Sequence, residues 1–213
     1  MSVAHYIYYF ALYSFVGWVM EVAYMSLRSK KFVNRGFLNG PFCPVYGFGA
    51  ISLIIFSDLV MDGILPVFLF GFLFLSAIEY VTSLMLEKMF GARWWSYYDQ
   101  SFNIGGRVAF LPSLFWGISS VIFVTIIHPE MRSLVSSWPA STVGAIIASV
   151  VMLYFIVDMI VSSLTAWKLG RDMGGLSEYS DITDIIKDLS LSERRIAYAF
   201  PDLISELAKK ILK

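Results

Sequence analysis

Hydrophobic residues fall in long runs near 5–27, 42–61, 64–86, 108–127 and 140–167, parted by short polar segments. Crossing about 30 Å of hydrocarbon takes roughly 20 largely apolar residues at 1.5 Å each. The pattern therefore predicts an all-α polytopic membrane bundle of about five transmembrane helices. Runs two and three are separated only by Met61, Asp62, Gly63 and their neighbours, which predicts a tight helical hairpin, because one fused helix would far exceed the bilayer. From about 170 the character changes to charged and amphipathic. Ile182, Ile185, Ile186 and Leu189 recur at helical spacing, as do Leu203, Leu207 and Ile211. Ser190 with Glu193 fits a capping box, and Pro201 suits a first helical turn. The expected organisation is a transmembrane bundle at 1–169 and a cytoplasmic helical tail at 170–213.

Composition agrees with this reading. The chain is 58% hydrophobic, 17% aromatic and only 15% charged, against about 25% charged in soluble domains. Sixteen basic and sixteen acidic side chains cancel, so no global field points to nucleic acid or to an acidic substrate. Their placement says more than their sum. Arg28, Lys30, Lys31 and Arg35 follow the first run, Lys88, Arg93 and Arg107 the third, and Lys168 and Arg171 the fifth. The turn after the second has Asp58 and Asp62 but no basic residue, and the loop after the fourth has only Arg132. By the positive-inside rule the N-terminus is outside and the tail cytoplasmic. Met1 to His5 lack a basic signal-peptide region and the apolar run behind them carries Glu21, so this first helix is expected to be retained. The tail balances eight basic against eight acidic residues from Lys168 onward, which favours packing on protein over binding anionic lipid.

Acids inside membrane segments are costly and are functional candidates by default. Glu21, Glu79 and Asp158 sit on the first, third and fifth runs, on the order of 9 to 14 Å by helical rise from the cytoplasmic ends, and so predict one acidic layer in the inner leaflet. Helical spacing joins each to a polar stripe: Tyr13, Gly17 and Glu21; Ser76, Glu79 and Ser83; Tyr154, Asp158, Ser162 and Thr165. The plainer reading is that each carboxylate is protonated or tied to a cytoplasmic arginine and holds the bundle together. An internal echo at an offset of 58 places Glu21 on Glu79, Arg35 on Arg93 and Gly47 on Gly105, as a parallel transporter repeat would.

Between Asn34 and Gly49, four glycines and two prolines predict an irregular approach to the second helix, tolerable at membrane depth only under cover of protein or water. Its amide groups with Asn34, Arg35 and Asn39 could hold an anionic group, or the stretch could be a turn that lets two helices pack. A second such stretch runs from Arg93 through Trp94, Trp95, Tyr97 and Tyr98 to Asn103 and Arg107. Its aromatics suit a membrane interface, and Arg107 needs an acid or phosphate, with Glu21, Glu79 and Asp99 as candidates. The substrate- or ion-binding candidates are thus Glu21, Glu79, Asp158, Asn34, Arg35, Asn39, Asn103 and Arg107. Cys43 is the sole cysteine and lacks a nearby base, as His5 and His128 fall on the outer side, so no catalytic residue, His-based metal site or cofactor is expected, while an all-carboxylate cation site stays open. No Gly-Lys-Ser/Thr sequence, and hence no P-loop, is present.

The motifs F-V-G-W-x-x-E at 15–21, N-R-G-F-L-x-G-P-x-C-P-x-Y-G-x-G at 34–49, R-W-W-x-Y at 93–97 and N-x-x-G-R at 103–107 resemble a bacterial membrane family labelled putative ABC-transporter permease. The resemblance spans roughly 5–167, implies transport, and supplies no substrate or catalytic residue to carry over. The leading expectation is a multi-pass transporter or permease subunit of the bacterial cytoplasmic membrane, in contact with membrane lipid, with a separate ATPase subunit or as a homodimeric carrier, and with no nucleic-acid partner. The alternatives are a membrane-embedded enzyme acting on a lipid or lipid-linked substrate, and a noncatalytic membrane scaffold.

Overall fold

The computed structural model describes residues 2–60, 63–139, 141–175, 186 and 189–211. It is an all-α membrane bundle, with no strand element among the described residues. Helix α1, Val3–Ser29, starts where the Ser2 side chain accepts from the His5 amide and stops where Lys30 turns left-handed. Helix α2 is Pro44–Val60. Helix α3, Ile64–Phe90, contains one π turn at Gly71–Leu75, and helix α4, Phe110–Ser136, another at Phe123–Ile127. Helix α5, Thr142–Gly175, is the longest. Two short helices follow, α6 at Leu191–Ala199 and α7 at Pro201–Ile211.

Helices α1, α3, α4 and α5 are long and apolar enough to cross a membrane. The second of the five expected spans is shorter: at 17 residues α2 rises only about 25 Å. The reason lies before it. The Cys43 amide donates to the Ser14 carbonyl at 2.9 Å, and Ser14 lies near the middle of α1. The chain therefore re-enters the bundle as irregular backbone and becomes helical only part-way through. Helix α4 in turn outlasts its apolar run, because the π turn carries it through His128 and Pro129 to Ser136.

The bundle is built on two close helix pairs. A side chain on Gly17 would strike Tyr46 and one on Gly47 would strike Ser14, so α1 and α2 touch backbone to backbone. Likewise Gly71 lies against Ser120 and Gly117 against Phe68, which joins α3 to α4. Small residues at the crossing are what membrane helices use where no hydrophobic force between them exists.

The tail packs on protein. The capping box expected at Ser190 and Glu193 is present. Ile196, Phe200, Leu203, Ile204 and Leu207 form one buried core with Trp94 and Leu169, flanked by Phe37 and Phe90. Arg195 donates to the carbonyls of Gly36, Phe37 and Leu38 at 2.7, 3.1 and 2.9 Å. Burial pulls the Arg195 guanidinium below its ordinary range, opposed by the Asp158 charge. Met61, Asp62, Ile182 and Ile185, which figured in the sequence reading, lie outside the described residues.

Candidate functional site

Glu21 and Glu79 come together from the two helix pairs. On α1, one Glu21 oxygen pairs with Arg35 Nε at 3.0 Å, and the other accepts from the Tyr46 hydroxyl of α2 at 2.6 Å. On α3, the Glu79 oxygens accept from the Tyr97 hydroxyl and from Trp116 Nε1 of α4, both at 2.9 Å. The Tyr46 and Trp116 rings meet with centroids 5.7 Å apart, so the two acids share one aromatic wall. Among the described residues Glu79 forms no ion pair. Burial, together with the neighbouring Glu79 carboxylate, pushes the Tyr97 phenol well above its ordinary range, so at neutral pH it is a donor and not a competing anion.

The irregular stretch before α2 is shaped from several sides. Asn34 accepts from Trp18 Nε1 at 2.7 Å, which fixes the loop carrying Arg35. Arg35 itself lies over the Phe200 ring at 5.7 Å, so the tail covers the charged end of the site. Asp158 stands apart from the two glutamates. Its oxygens accept from the backbone amides of Asn39 and Gly40 at 3.0 and 2.8 Å, with the Asn39 side chain and Ser162 adding further bonds. A carboxylate facing two amides satisfies donors that helix-free backbone would otherwise bury unpaired.

Arg107 reaches none of the three acids expected for it. It pairs with Glu87 at 2.6 Å, which also holds Arg93 at 3.2 Å, and it touches Ser83 and the face of Tyr80. Asn103 bridges its own loop, donating to the Gln100 carbonyl and accepting from the Gly106 amide. Sequence reasoning missed Tyr46, Tyr97, Trp116 and Glu87. The first three lie within aromatic or apolar runs, and Glu87 sits beside Lys88 near the end of the third run. Among the described residues no group of three or more His, Cys, Asp or Glu stands close enough to hold a metal ion.

Chemically, this arrangement can do two things. The Glu21–Arg35 pair is internally neutralised, while Glu79 can take a proton or bind a cation among ring faces. Residues 8–163 match the model of a family described as Putative ABC-transporter type IV. No curated protein and no solved structure matches the chain.

Proposed function

We propose, on the premise that the chain belongs to the family described as Putative ABC-transporter type IV, that it is a multi-pass transporter or permease subunit of the bacterial cytoplasmic membrane that binds a cation or proton at Glu79 beside the Glu21–Arg35 ion pair. The family and the apolar helices make it a membrane transporter-like protein. With no P-loop in the chain, an active transport cycle would take its energy from a separate ATPase subunit or from an ion gradient. The observation that carries the reading is the asymmetry of two acids on one aromatic wall: Glu21 has an arginine, whereas among the described residues Glu79 has only the neutral donors Tyr97 and Trp116. In low dielectric a carboxylate without a counter-ion favours the arrival of positive charge. Asp158, Asn34, Asn39, Asn103 and Arg107 then build the walls, holding the two irregular segments that frame the site.

Native mass spectrometry of protein extracted gently from its own membranes tests this. Wild type should carry a cationic small molecule, or co-purify with an ATPase, and Glu79→Gln should lose the bound molecule while remaining folded. Identical bare spectra for wild type, Glu21→Gln and Glu79→Gln would overturn the site.

A further inference from the structure

We propose that the outer half of the bundle holds a hydrated proton path, running from His128 and Tyr13 past Ser14 to Tyr46 and Glu21. The inference rests on the reading of Glu79, beside the Glu21–Arg35 pair, as the transport site and adds how a proton would reach that pair from the outer side.

His128 sits where the π turn of α4 ends. Such bulges widen a helix locally and recur at functional sites. The imidazole is 93% buried, being 7% exposed, and is held by the Tyr9 ring at 5.1 Å and by Phe123 stacked at 5.7 Å. Its Nδ1 meets the Tyr13 hydroxyl at 3.0 Å, while its Nε2 is buried with no partner among the described residues. Whichever tautomer is present, Nε2 is either a donor or an acceptor and needs a partner.

The next residue along α1 repeats the situation. Ser14 is fully buried and its hydroxyl too has no partner among the described residues, although a helical serine commonly bonds back to the preceding turn. One turn further, Gly17 lies against Tyr46, whose hydroxyl already donates to Glu21. From Tyr13 to Glu21 the helix rises about 12 Å. Two unpaired buried polar atoms, His128 Nε2 at the outer end and Ser14 between the paired Tyr13 and Tyr46, are what a short file of internal water serves, since each such water bonds about three polar groups.

The groups facing His128 are Tyr9 and Tyr13 on α1, Arg132 on its own helix and Asp58 on α2. Asp58 is exposed, so a proton has a carboxylate at the outer surface before it meets the imidazole. In the relay, His128 takes a proton at Nε2 and releases one from Nδ1 to the Tyr13 oxygen. Tyr13 passes its own proton to water at Ser14, that water protonates the Tyr46 oxygen, and Tyr46 gives its hydroxyl proton to the Glu21 carboxylate. One proton moves inward, each hydroxyl is left as it began, and the imidazole is left as its Nε2–H tautomer, which a ring flip resets. Its arrival neutralises Glu21 and frees Arg35.

The chain has two histidines, so ¹⁵N-histidine labelling of a His5→Gln protein in lipid nanodiscs isolates one imidazole. The expected result is magnetisation transfer from water to His128 Nε2, together with inward proton flux in proteoliposomes that Tyr13→Phe and His128→Phe abolish without lowering the melting temperature. A dry Nε2, or wild-type flux equal to that of empty liposomes, overturns the path. If Nε2 is dry while Glu79→Gln still loses its bound molecule, the path fails and the transport site stands. If Nε2 is wet and flux persists while native spectra are bare, the path stands and the transport site fails.

Discussion

The α1–α2 pair and the α3–α4 pair solve the same problem with different electrostatics. In each, a glutamate on the first helix accepts from an aromatic side chain on the second, Tyr46 or Trp116. In each, glycine brings the two helices together, and non-helical chain rich in aromatics joins them. Yet Arg35 goes to Glu21, while Arg93 and Arg107 both go to Glu87 and leave Glu79 with a phenol and an indole. Equivalent scaffold positions thus hold one ion pair and one carboxylate bonded to neutral donors. On the proposed reading, this difference makes the first half frame and the second half site.

The largest expected effect breaks the frame. At Gly47 an added methyl group would meet the Phe10 backbone carbonyl at 2.7 Å, whereas at Gly117 it would meet the Phe68 ring, which can move. Gly47→Ala should therefore cost about 1–3 kcal/mol, as overpacking does, and Gly117→Ala clearly less. Thermal unfolding followed by fluorescence-detected gel filtration compares the two directly, and equal losses would mean that the pairs are packed alike.

Smaller, and more telling, is Arg35→Gln. It makes the two halves electrostatically alike by leaving Glu21 with Tyr46 alone. Removing one partner from a partly exposed pair should destabilise by about 1 kcal/mol, and adding Glu21→Gln should recover most of it. If the double variant is no more stable than the single one, Arg35 acts through its contact with Phe200 and not through Glu21.

The smallest effect concerns the tail that covers Arg35. Burial alone would raise the Glu193 carboxyl, but hydrogen bonds from the Ser190 side chain and amide, together with Lys168, outweigh it and lower Glu193 below its ordinary value of 4.5. A group depressed in the folded state stabilises above its unfolded value, and that contribution fades as pH falls through the folded one. Amide hydrogen exchange in α6 should therefore quicken only below about pH 4.5, and Glu193→Gln should flatten that dependence.

Much of the frame is legible in the chain itself. Twenty-residue apolar runs mark the spanning helices because lipid gives the backbone no alternative to helix. The glycines and prolines at 34–49 mark the irregular approach to α2, and Ser190 with Glu193 marks the start of α6. The site is less legible because its contacts are long-range. Nothing in periodicity says that Trp116 reaches back 37 residues to Glu79, or that Glu87 will collect two arginines. The echo at 58 finds the matching glutamates and then misleads. Gly105 lies in a loop at φ +58, while the helix glycine that answers Gly47 is Gly117, directly after Trp116 as Gly47 follows Tyr46. A longer connecting segment shifts the second helix, and a fixed offset cannot follow it.

Arg195 gathers three carbonyls that lie up to 159 residues before it. At synthesis rates of about 5–20 residues per second, Gly36, Phe37 and Leu38 leave the ribosome roughly 8–30 s before the guanidinium that will satisfy them. During that interval the spanning helices insert and the segment ahead of α2 must borrow its hydrogen bonds from water. The end of the bundle that the tail covers is therefore set last, and biogenesis itself passes through an unlatched form in which the pair at Glu21 and Arg35 is not yet covered.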